Sequence, residues 1–196
     1  MSEQKSQQAA PPHVQLIQMG TSLWVSRMVY VAAKLNVAVH IADATRSAEE
    51  LAGATQTHAP SLYRFLRTLA SLGLLKEDAE RRFTLTPLGA ALWADAPGAA
   101  RAAILTLAGD WSLRGWEQLH YSLETGQSGY EKAHGMPIFD WLAQNPEQAS
   151  LFTQTMAGFH GHEAETVAAA YDFAGFGTIV DVGGASGNVI GTVLQA

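Results

Sequence analysis

The most constraining feature of this sequence is the regular spacing of helix-start signals between residues 46 and 93. Ser47 is followed three residues later by Glu50, which is the pattern of a capping box and predicts a short helix directly after Ser47. Thr57 is expected to cap a second helix, with Pro60 in its first turn, where a missing backbone N–H costs nothing. The spacing therefore predicts two short helices in close succession.

After Gly73, which is expected to end the second helix, the pattern changes from helical to strand-like. LLK and RFTL lie on either side of the charged turn EDAER and predict two short paired strands. Thr86 before Pro87 then predicts the start of another helix. Two helices joined by a turn and followed by a two-stranded wing make up a winged helix-turn-helix.

A winged helix either reads DNA or packs against protein, and its charges help to distinguish the two. A DNA-reading second helix needs exposed basic or amide side chains, but Arg64 and Arg67 are the only charges in PSLYRFLRTLASLG. In the wing, Arg81 and Arg82 lie next to three acidic residues. The net charge of −6 also makes the chain a poor general partner for nucleic acid. We therefore expect no nucleic-acid partner and favour a packing or dimerisation module; a DNA-binding transcriptional regulator is the alternative.

The segment from Leu16 to Asn36 predicts a long helix that is apolar around most of its circumference. Its apolar residues at helical spacing include Leu16, Met19, Leu23, Trp24, Val25, Met28, Val29, Val31 and Leu35. The spare apolar face is expected to pack against a second subunit in a homodimer, and the alternative is a central core helix of a monomer. Arg27 and Lys34 interrupt the stretch, so no membrane span is expected.

The composition bears on the chemistry and the cellular setting. The chain has no cysteine, which excludes disulfides and thiol catalysis and fits a cytoplasmic location. Residues 1–12 are polar and end in two prolines, which predicts a disordered tail. The two histidines of HGHE, at 160–163, are two residues apart on a predicted helix and point in different directions, so no metal site is expected.

Residues 101–175 are expected to be mostly helical. Within them, Phe152, Met156 and Phe159 follow the i, i+4, i+7 spacing and share one helix face. Such a stripe favours a core position, although methionine and aromatic side chains also form adaptable walls for flat apolar ligands. The sequence pattern leaves both interpretations open.

The sequence TIVDVGGASGNVIG combines a strand-like run, clustered glycines and a helix start. Residues 178–182 predict a buried parallel strand, and Gly183, Gly184 and Gly187 let the backbone turn sharply and approach a ligand. Asp181 lies within the strand end, before the glycines, whereas dinucleotide-binding folds place their key acid about twenty residues later. A carboxylate here suits a ligand with a cationic amine, such as S-adenosylmethionine. An ordinary strand-to-helix turn is the alternative.

In their order and spacing, several segments resemble the two-domain, S-adenosylmethionine-dependent O-methyltransferases of the caffeate and hydroxyindole type. These segments are the winged-helix stretch from SAEELAGATQ to LTPLGAAL, then WEQL, LFTQTM and YDFAGFGTIVDVGGASG. The resemblance covers nearly all of the chain from Leu16. It implies a mainly α fold: a winged-helix dimerisation domain with a helical extension, followed by the first strand and helix of a truncated α/β Rossmann-like methyltransferase domain.

The resemblance also implies how the chain is divided. The implied parts are a disordered tail at 1–12, a winged-helix dimerisation domain at 13–100, a helical linker and substrate-pocket region at 101–175, and the incomplete start of an S-adenosylmethionine-binding domain at 176–196. The family assembles as homodimers in which the helical part walls the substrate pocket. We therefore expect a homodimer acting on a small hydroxylated aromatic substrate.

Individual site residues can be carried over from the family motifs. The residues implied to contact the cofactor are Asp181, Gly183, Gly184, Gly187 and His160. Phe152 and Met156 match positions that line the pocket of the aromatic substrate. The chain departs from the family at Ala185, where relatives commonly have a third glycine, which narrows the room for close backbone approach.

In the family, the histidine that removes the substrate's proton lies further along the chain. We therefore expect the general base beyond residue 196 and assign no catalytic residue here. The position of the glycine motif so near residue 196 is typical of a cut chain. We expect these 196 residues alone to have no methyltransferase activity and little affinity for the cofactor.

Overall fold

The computed structural model describes residues 10–96, 98, 100–159, 163–184 and 187–195. Within these ranges the chain is mainly helical with one small sheet, which confirms the predicted fold class. The helices are α1 (Pro12–Lys34), α2 (Val37–Ile41), α3 (Ala48–Thr55), α4 (Ala59–Ser71), α5 (Pro87–Ala90), α6 (Ala100–Leu107), α7 (Asp110–Trp116), α8 (Leu119–Thr125), α9 (Gly129–His134), α10 (Ile138–Gln144), α11 (Pro146–Phe159), α12 (Glu163–Ala170) and α13 (Asn188–Val193). The strands are β1 (Arg46–Ser47), β2 (Leu75–Glu77) and β3 (Arg82–Leu85).

The predicted winged helix-turn-helix is formed by α3, α4 and an antiparallel sheet of strand order β1-β3-β2. β2 and β3 make the predicted hairpin, in which Lys76 pairs with Thr84. The sequence does not predict β1, because two residues are too few to show alternation. They form a strand only because Arg46 pairs with Phe83 in β3. The third strand ties the start of α3 to the wing.

The helix starts follow the predicted capping signals in two places. The Glu50 N–H donates to the Ser47 hydroxyl at 3.2 Å, and the Ser47 N–H donates to the Glu50 carboxylate at 2.7 Å, which completes the capping box. The hydrogen bond from the Ser47 N–H lowers the pKa of the Glu50 carboxyl. Thr86 caps α5 as predicted, because its hydroxyl accepts a hydrogen bond from the Gly89 N–H at 3.1 Å.

The predicted cap of α4 was wrong. Its N-cap residue is His58, and α4 begins at Ala59 with Pro60 in the first turn. The Thr57 hydroxyl is instead 2.9 Å from the hydroxyl of Thr55, which also donates to a backbone carbonyl of α3. Thr57 therefore contacts the C-terminal end of α3 and does not cap α4.

The core of the winged module is a continuous apolar cluster between α1, α2, α3, α4 and β3. Phe83 of β3 is fully buried and makes an edge-on ring contact with Tyr63 at 6.0 Å. The apolar face predicted for α4 supplies Leu62, Leu66 and Leu69, all of which are buried. One helix face and one wing strand thus account for the centre of the module.

Helix α1 is buried only near its C-terminal end, at Tyr30, Ala32 and Ala33. The apolar side chains of its first half are exposed, including Leu16 at 70% and Trp24 at 69%. Among the described residues, no helix has both the length and the apolar character that crossing a bilayer requires.

Helix α11 joins the helical region to the winged module by packing along α6, which also contacts α1. At the centre of this contact, the hydroxyls of Thr155 and Thr106 are hydrogen-bonded at 3.0 Å, and both residues are buried. The Thr155 hydroxyl also lies 2.8 Å from the Leu151 carbonyl oxygen. A polar pair thus fixes the register of the two helices inside an apolar interface.

The structure differs from the prediction at residues 178–182, which do not form a strand. Val180 and Val182 are 77% and 92% exposed, although the sequence pattern predicts a buried position. A β-strand needs a neighbour to accept and donate its backbone hydrogen bonds, and in the described part of the chain the three strands all belong to the wing. The helix predicted after the glycines is present as α13, which packs against α12.

We predict that Gly89→Ala destabilises the winged module. A Cβ at this position would lie 2.0 Å from the Leu74 carbonyl oxygen and 3.2 Å from a methyl carbon of Leu85. The backbone must shift to relieve this overlap, at a cost of about 2 kcal/mol or more. Thermal unfolding followed by circular dichroism measures the change. The matched control is Gly53→Ala in α3, where a Cβ meets nothing within 4 Å and helix propensity favours alanine. Equal melting temperatures for the two variants would contradict the prediction.

Candidate functional site

The four glycine-motif residues predicted to bind the cofactor form one tight turn in the structure. Gly183 and Gly187 both have positive φ angles, of +75° and +74°, a conformation that glycine adopts at no steric cost. The Gly187 N–H donates to the Gly184 carbonyl oxygen at 2.7 Å and closes the turn. Gly187 is also the N-cap residue of α13, and its carbonyl oxygen accepts from the Gly191 N–H at 2.9 Å.

Asp181 folds back against this turn. A Cβ at position 184 would lie 1.9 Å from Asp181 Oδ2 and 2.2 Å from its Cγ, so the carboxylate occupies the space that a side chain at Gly184 would need. Asp181 is exposed, and a carboxylate that is open to solvent beside a bare backbone can accept hydrogen bonds from a cationic or hydroxylated ligand. Residues 185 and 186, which complete the motif, lie outside the described residues.

The predicted pocket residues Phe152 and Met156 lie on α11, and both are half-buried. Phe152 makes an edge-on contact with Phe139 of α10, with ring centroids 6.3 Å apart. Because Thr155 is directed into the contact with α6, Phe152 and Met156 occupy the neighbouring flank of the helix. His160, the remaining predicted contact, lies outside the described residues.

The structure brings together the four residues of the turn but does not join them to α11. Among the residues that it describes, no hydrogen bond or ring contact links Asp181 or the three glycines to Phe152 or Met156. The turn and the aromatic stripe are therefore two separate parts of a candidate site.

An open cleft of about 480 Å³ between α12, α13 and the segment before the turn is a feature that the sequence patterns do not predict. Its aromatic lining comes from YDFAGF: Tyr171 contacts Phe173 at 4.9 Å and stacks on Phe176 at 6.1 Å. Three aromatic residues within six positions are the signal that could have found it. The cleft places an apolar wall on the chain segment that leads into the Asp181 turn.

The wing and the second helix are the alternative candidate for a nucleic-acid interface, and three of their five cations, Arg67, Arg81 and Arg82, contact other side chains of the chain. Arg67 forms an ion pair with Glu77 at 3.4 Å. Arg81 donates to the Tyr63 hydroxyl at 2.9 Å and stacks over that ring at 4.2 Å; this hydrogen bond raises the pKa of the Arg81 guanidinium. Arg82 pairs with a carboxylate of α3 at 3.1 Å. The two ion pairs reduce the positive charge that this face offers to phosphate groups.

In the part of the chain that the structure describes, no cluster of three or more histidine or acidic side chains is arranged to hold a metal ion. The HGHE segment contributes only Glu163 to the described residues, so its histidines are outside this statement.

Comparison with known protein families gives two adjacent matches. The sequence profile of the O-methyltransferase dimerisation domain matches residues 17–95, and that of the O-methyltransferase domain matches residues 116–196. The first match contains the winged module, and the second contains both the aromatic stripe of α11 and the Asp181 turn.

Individual relatives agree with these matches. The phenazine O-methyltransferase PhzM of Lysobacter antibioticus is 37% identical over 196 residues, which is 100% of this chain and 57% of that protein. A crystal structure of LaPhzM superposes with a TM-score of 0.87 at 37% identity, over 95% of this chain and 56% of that one. An O-methyltransferase from neocarzinostatin biosynthesis, solved with S-adenosylmethionine and 2-hydroxy-5-methyl naphthoic acid, gives a TM-score of 0.75 at 35% identity, over 87% and 53% of the two chains. The chain spans about half the length of the relatives that it matches.

We predict that Gly187→Ala weakens the start of α13. A left-handed backbone costs an alanine about 1–2 kcal/mol, so the turn opens or the first helical hydrogen bond is lost. Amide hydrogen exchange at residues 191–193 should become faster. The matched control is Gly191→Ala in the middle of α13, where a Cβ meets nothing within 4 Å. This variant should slow amide exchange, because alanine has a higher helix propensity than glycine. If both variants exchange alike, the left-handed residue does not hold the turn.

Proposed function

This chain belongs to the two-domain, S-adenosylmethionine-dependent O-methyltransferases, and on that premise we propose that it takes part in transferring a methyl group to a hydroxyl of a small aromatic metabolite. The observation that carries the proposal is the turn in which the Asp181 carboxylate lies directly against Gly184. S-Adenosylmethionine is the methyl donor of this family. Its ammonium group has the charge and the donors that an exposed carboxylate accepts.

The proposed roles of the turn residues follow from their geometry. Asp181 would hold the cationic amine, while Gly183 and Gly187 give the backbone the curvature that brings it close to the ligand. Gly184 keeps the space beside the carboxylate free of a side chain. His160 would lie near the carboxylate end of the same ligand, a role that is proposed from the family motif.

The proposed substrate wall is the flank of α11 that carries Phe152 and Met156. An aromatic ring that is already paired edge-on with Phe139, next to a flexible methionine, offers a surface suited to a flat ring. Relatives are named for a phenazine, for mitomycin biosynthesis and for a naphthoate, which supports an aromatic acceptor without naming one for this chain. Methyl transfer also needs the acceptor oxygen aligned with the methyl group, so the role of this wall would be to orient the acceptor ring.

The acceptor hydroxyl must lose its proton during transfer, and we propose that the base responsible lies outside these 196 residues. The division of the chain at residues 100 and 175 into dimerisation, pocket and cofactor-binding parts belongs to the same proposal. The first family match ends at residue 95 and the second begins at residue 116, and this gap supports a boundary in that region.

We further propose that the chain forms a homodimer through the exposed half of α1. The family match over residues 17–95 is to a dimerisation domain, and that stretch begins within the exposed apolar face. The ion pairs of Arg67 and Arg82 support a packing role for the module over DNA recognition. The absence of cysteine supports a cytoplasmic location.

Dimerisation is tested with Trp24→Glu. A charge in the middle of the exposed apolar face must be desolvated on assembly, so the variant should elute as a monomer of 20.9 kDa while the unmodified chain has twice that mass. Size-exclusion chromatography with light scattering measures both. Leu123→Glu is the control, because Leu123 is 77% exposed on α8 and the variant should remain dimeric. A monomeric unmodified chain would refute the interface.

The cofactor role is tested in two proteins. Calorimetric titration of the 196-residue chain should show no micromolar affinity for S-adenosylmethionine, because the turn is only one edge of a binding site. A chimera, in which the matching remainder of the Lysobacter phenazine enzyme follows residue 196, should bind it. In the chimera, Asp181→Asn should weaken binding roughly tenfold or more, the value of one charge-assisted hydrogen bond.

The matched control for this experiment is Asp140→Asn, which removes an exposed carboxylate from α10. It should leave the affinity of the chimera for S-adenosylmethionine unchanged. Two results would contradict the proposal: micromolar binding by the 196-residue chain, or unaltered binding by the chimera with Asp181→Asn.

A further inference from the structure

A second cleft, of about 540 Å³, lies where α1, α6, α7, α9, α10 and α11 meet. Its lining includes none of the residues of the Asp181 turn and neither Phe152 nor Met156. Its volume is in the range of pockets that hold small molecules, roughly 300–1,000 Å³. The cleft has no part in the function proposed above.

One wall of the cleft is a pair of tryptophans. Trp111 of α7 and Trp141 of α10 stack with ring centroids 5.2 Å apart and an angle of 12° between their planes. His134 of α9, which also lines the cleft, donates from Nε2 to the Trp111 carbonyl oxygen at 2.8 Å. Both tryptophans are half-buried, so they present aromatic surface that is held in place by three helices.

Three cationic side chains also line the cleft: Lys34, Arg101 and Arg114. Arg101 donates to the Asn36 side-chain oxygen at 2.6 Å, but its Nε is buried and has no hydrogen-bond partner. Lys34 lies over the Tyr30 ring at 5.6 Å, and within the described residues neither its ammonium nor the Arg114 guanidinium has an acidic partner. The cleft therefore holds donors and positive charge that the chain itself does not satisfy.

Two acidic residues face the same cleft, Asp110 and Glu147. Asp110 is neutralised by Arg27 of α1, whose guanidinium is 2.9 Å from its carboxylate. Glu147 is exposed at the start of α11. Three cations against one unpaired acid leave the cleft positive, although the whole chain has a net charge of −6.

We propose that this cleft binds a flat aromatic carboxylate. The ring would lie against the Trp111–Trp141 wall, and the carboxylate would accept hydrogen bonds from Arg101 and Arg114, with Lys34 adding charge. A neutral aromatic molecule would leave Lys34 and Arg114 without an anionic partner, and a small inorganic anion would leave the tryptophan wall without a contact. The combination of both features in one cleft selects a ligand that has both.

The test uses the 196-residue chain and two probes of the same shape, 1-naphthoate and the uncharged naphthalene-1-methanol. Calorimetric titration should show tighter binding of 1-naphthoate. The double variant with Lys34→Gln and Arg114→Gln should weaken its binding about tenfold and leave the neutral probe unchanged. Arg64→Gln, which removes an exposed cation from α4, is the matched control and should bind 1-naphthoate like the unmodified chain. In NMR spectra, the indole N–H signals of Trp111 and Trp141 should shift on addition of 1-naphthoate.

Three outcomes would overturn the inference: equal affinity for the two probes, undiminished binding of 1-naphthoate by the double variant, or displacement of 1-naphthoate by inorganic phosphate at equal concentration. Lys34 and Arg114 are both exposed, so the double variant is expected to fold, and matched thermal unfolding curves verify this. The experiment contains no methyl donor, so its result is independent of whether the Asp181 turn binds S-adenosylmethionine.

Discussion

The contact between α6 and α11 is the interaction on which the arrangement of both candidate sites depends. At its centre are two buried threonines whose hydroxyls are hydrogen-bonded to each other, and loss of the Thr155 hydroxyl would leave the buried Thr106 hydroxyl without this partner, at a cost of about 1–3 kcal/mol. Because a helix is rigid, fixing Thr155 against α6 also fixes where its neighbours lie. Leu151 then faces the tryptophan cleft, and Phe152 lies on the flank proposed to wall the substrate. One buried hydrogen bond therefore sets the direction of two ligand surfaces.

The sequence could predict those parts of the fold that local rules determine. The capping box at Ser47, the cap at Thr86 and the apolar face of α4 involve residues within one or two helical turns of each other. Thr57 shows the limit of such signals, because a cap can serve either of two adjacent helices and the hydrogen bond to Thr55 decides the outcome. β1 was beyond prediction, since pairing across more than thirty residues creates it.

The candidate site divides in the same way. The glycine spacing predicts a sharp turn, and the positive φ angles of Gly183 and Gly187 give the physical reason. A buried strand before that turn was predicted from apolar residues alone, but burial requires neighbouring strands, which no local pattern supplies. The tryptophan cleft lay beyond sequence reasoning because its wall joins residues thirty positions apart through the packing of α7, α9 and α10. Trp111 and Trp141 each resemble an ordinary core residue until they are seen together.

Helix α1 connects the exposed apolar face proposed for dimerisation to the tryptophan cleft. Its 23 residues form a rod about 35 Å long, and only its C-terminal end is buried. At that end, Arg27 grips the turn between α6 and α7, with one hydrogen bond to the Ala108 carbonyl oxygen and another to the carboxylate of Asp110. One rigid helix therefore connects the exposed apolar side chains at one end to the rim of the tryptophan cleft, which contains Asp110, at the other. A partner that packs against the exposed half of α1 would therefore be joined to the cleft through a single helix and the two hydrogen bonds of Arg27.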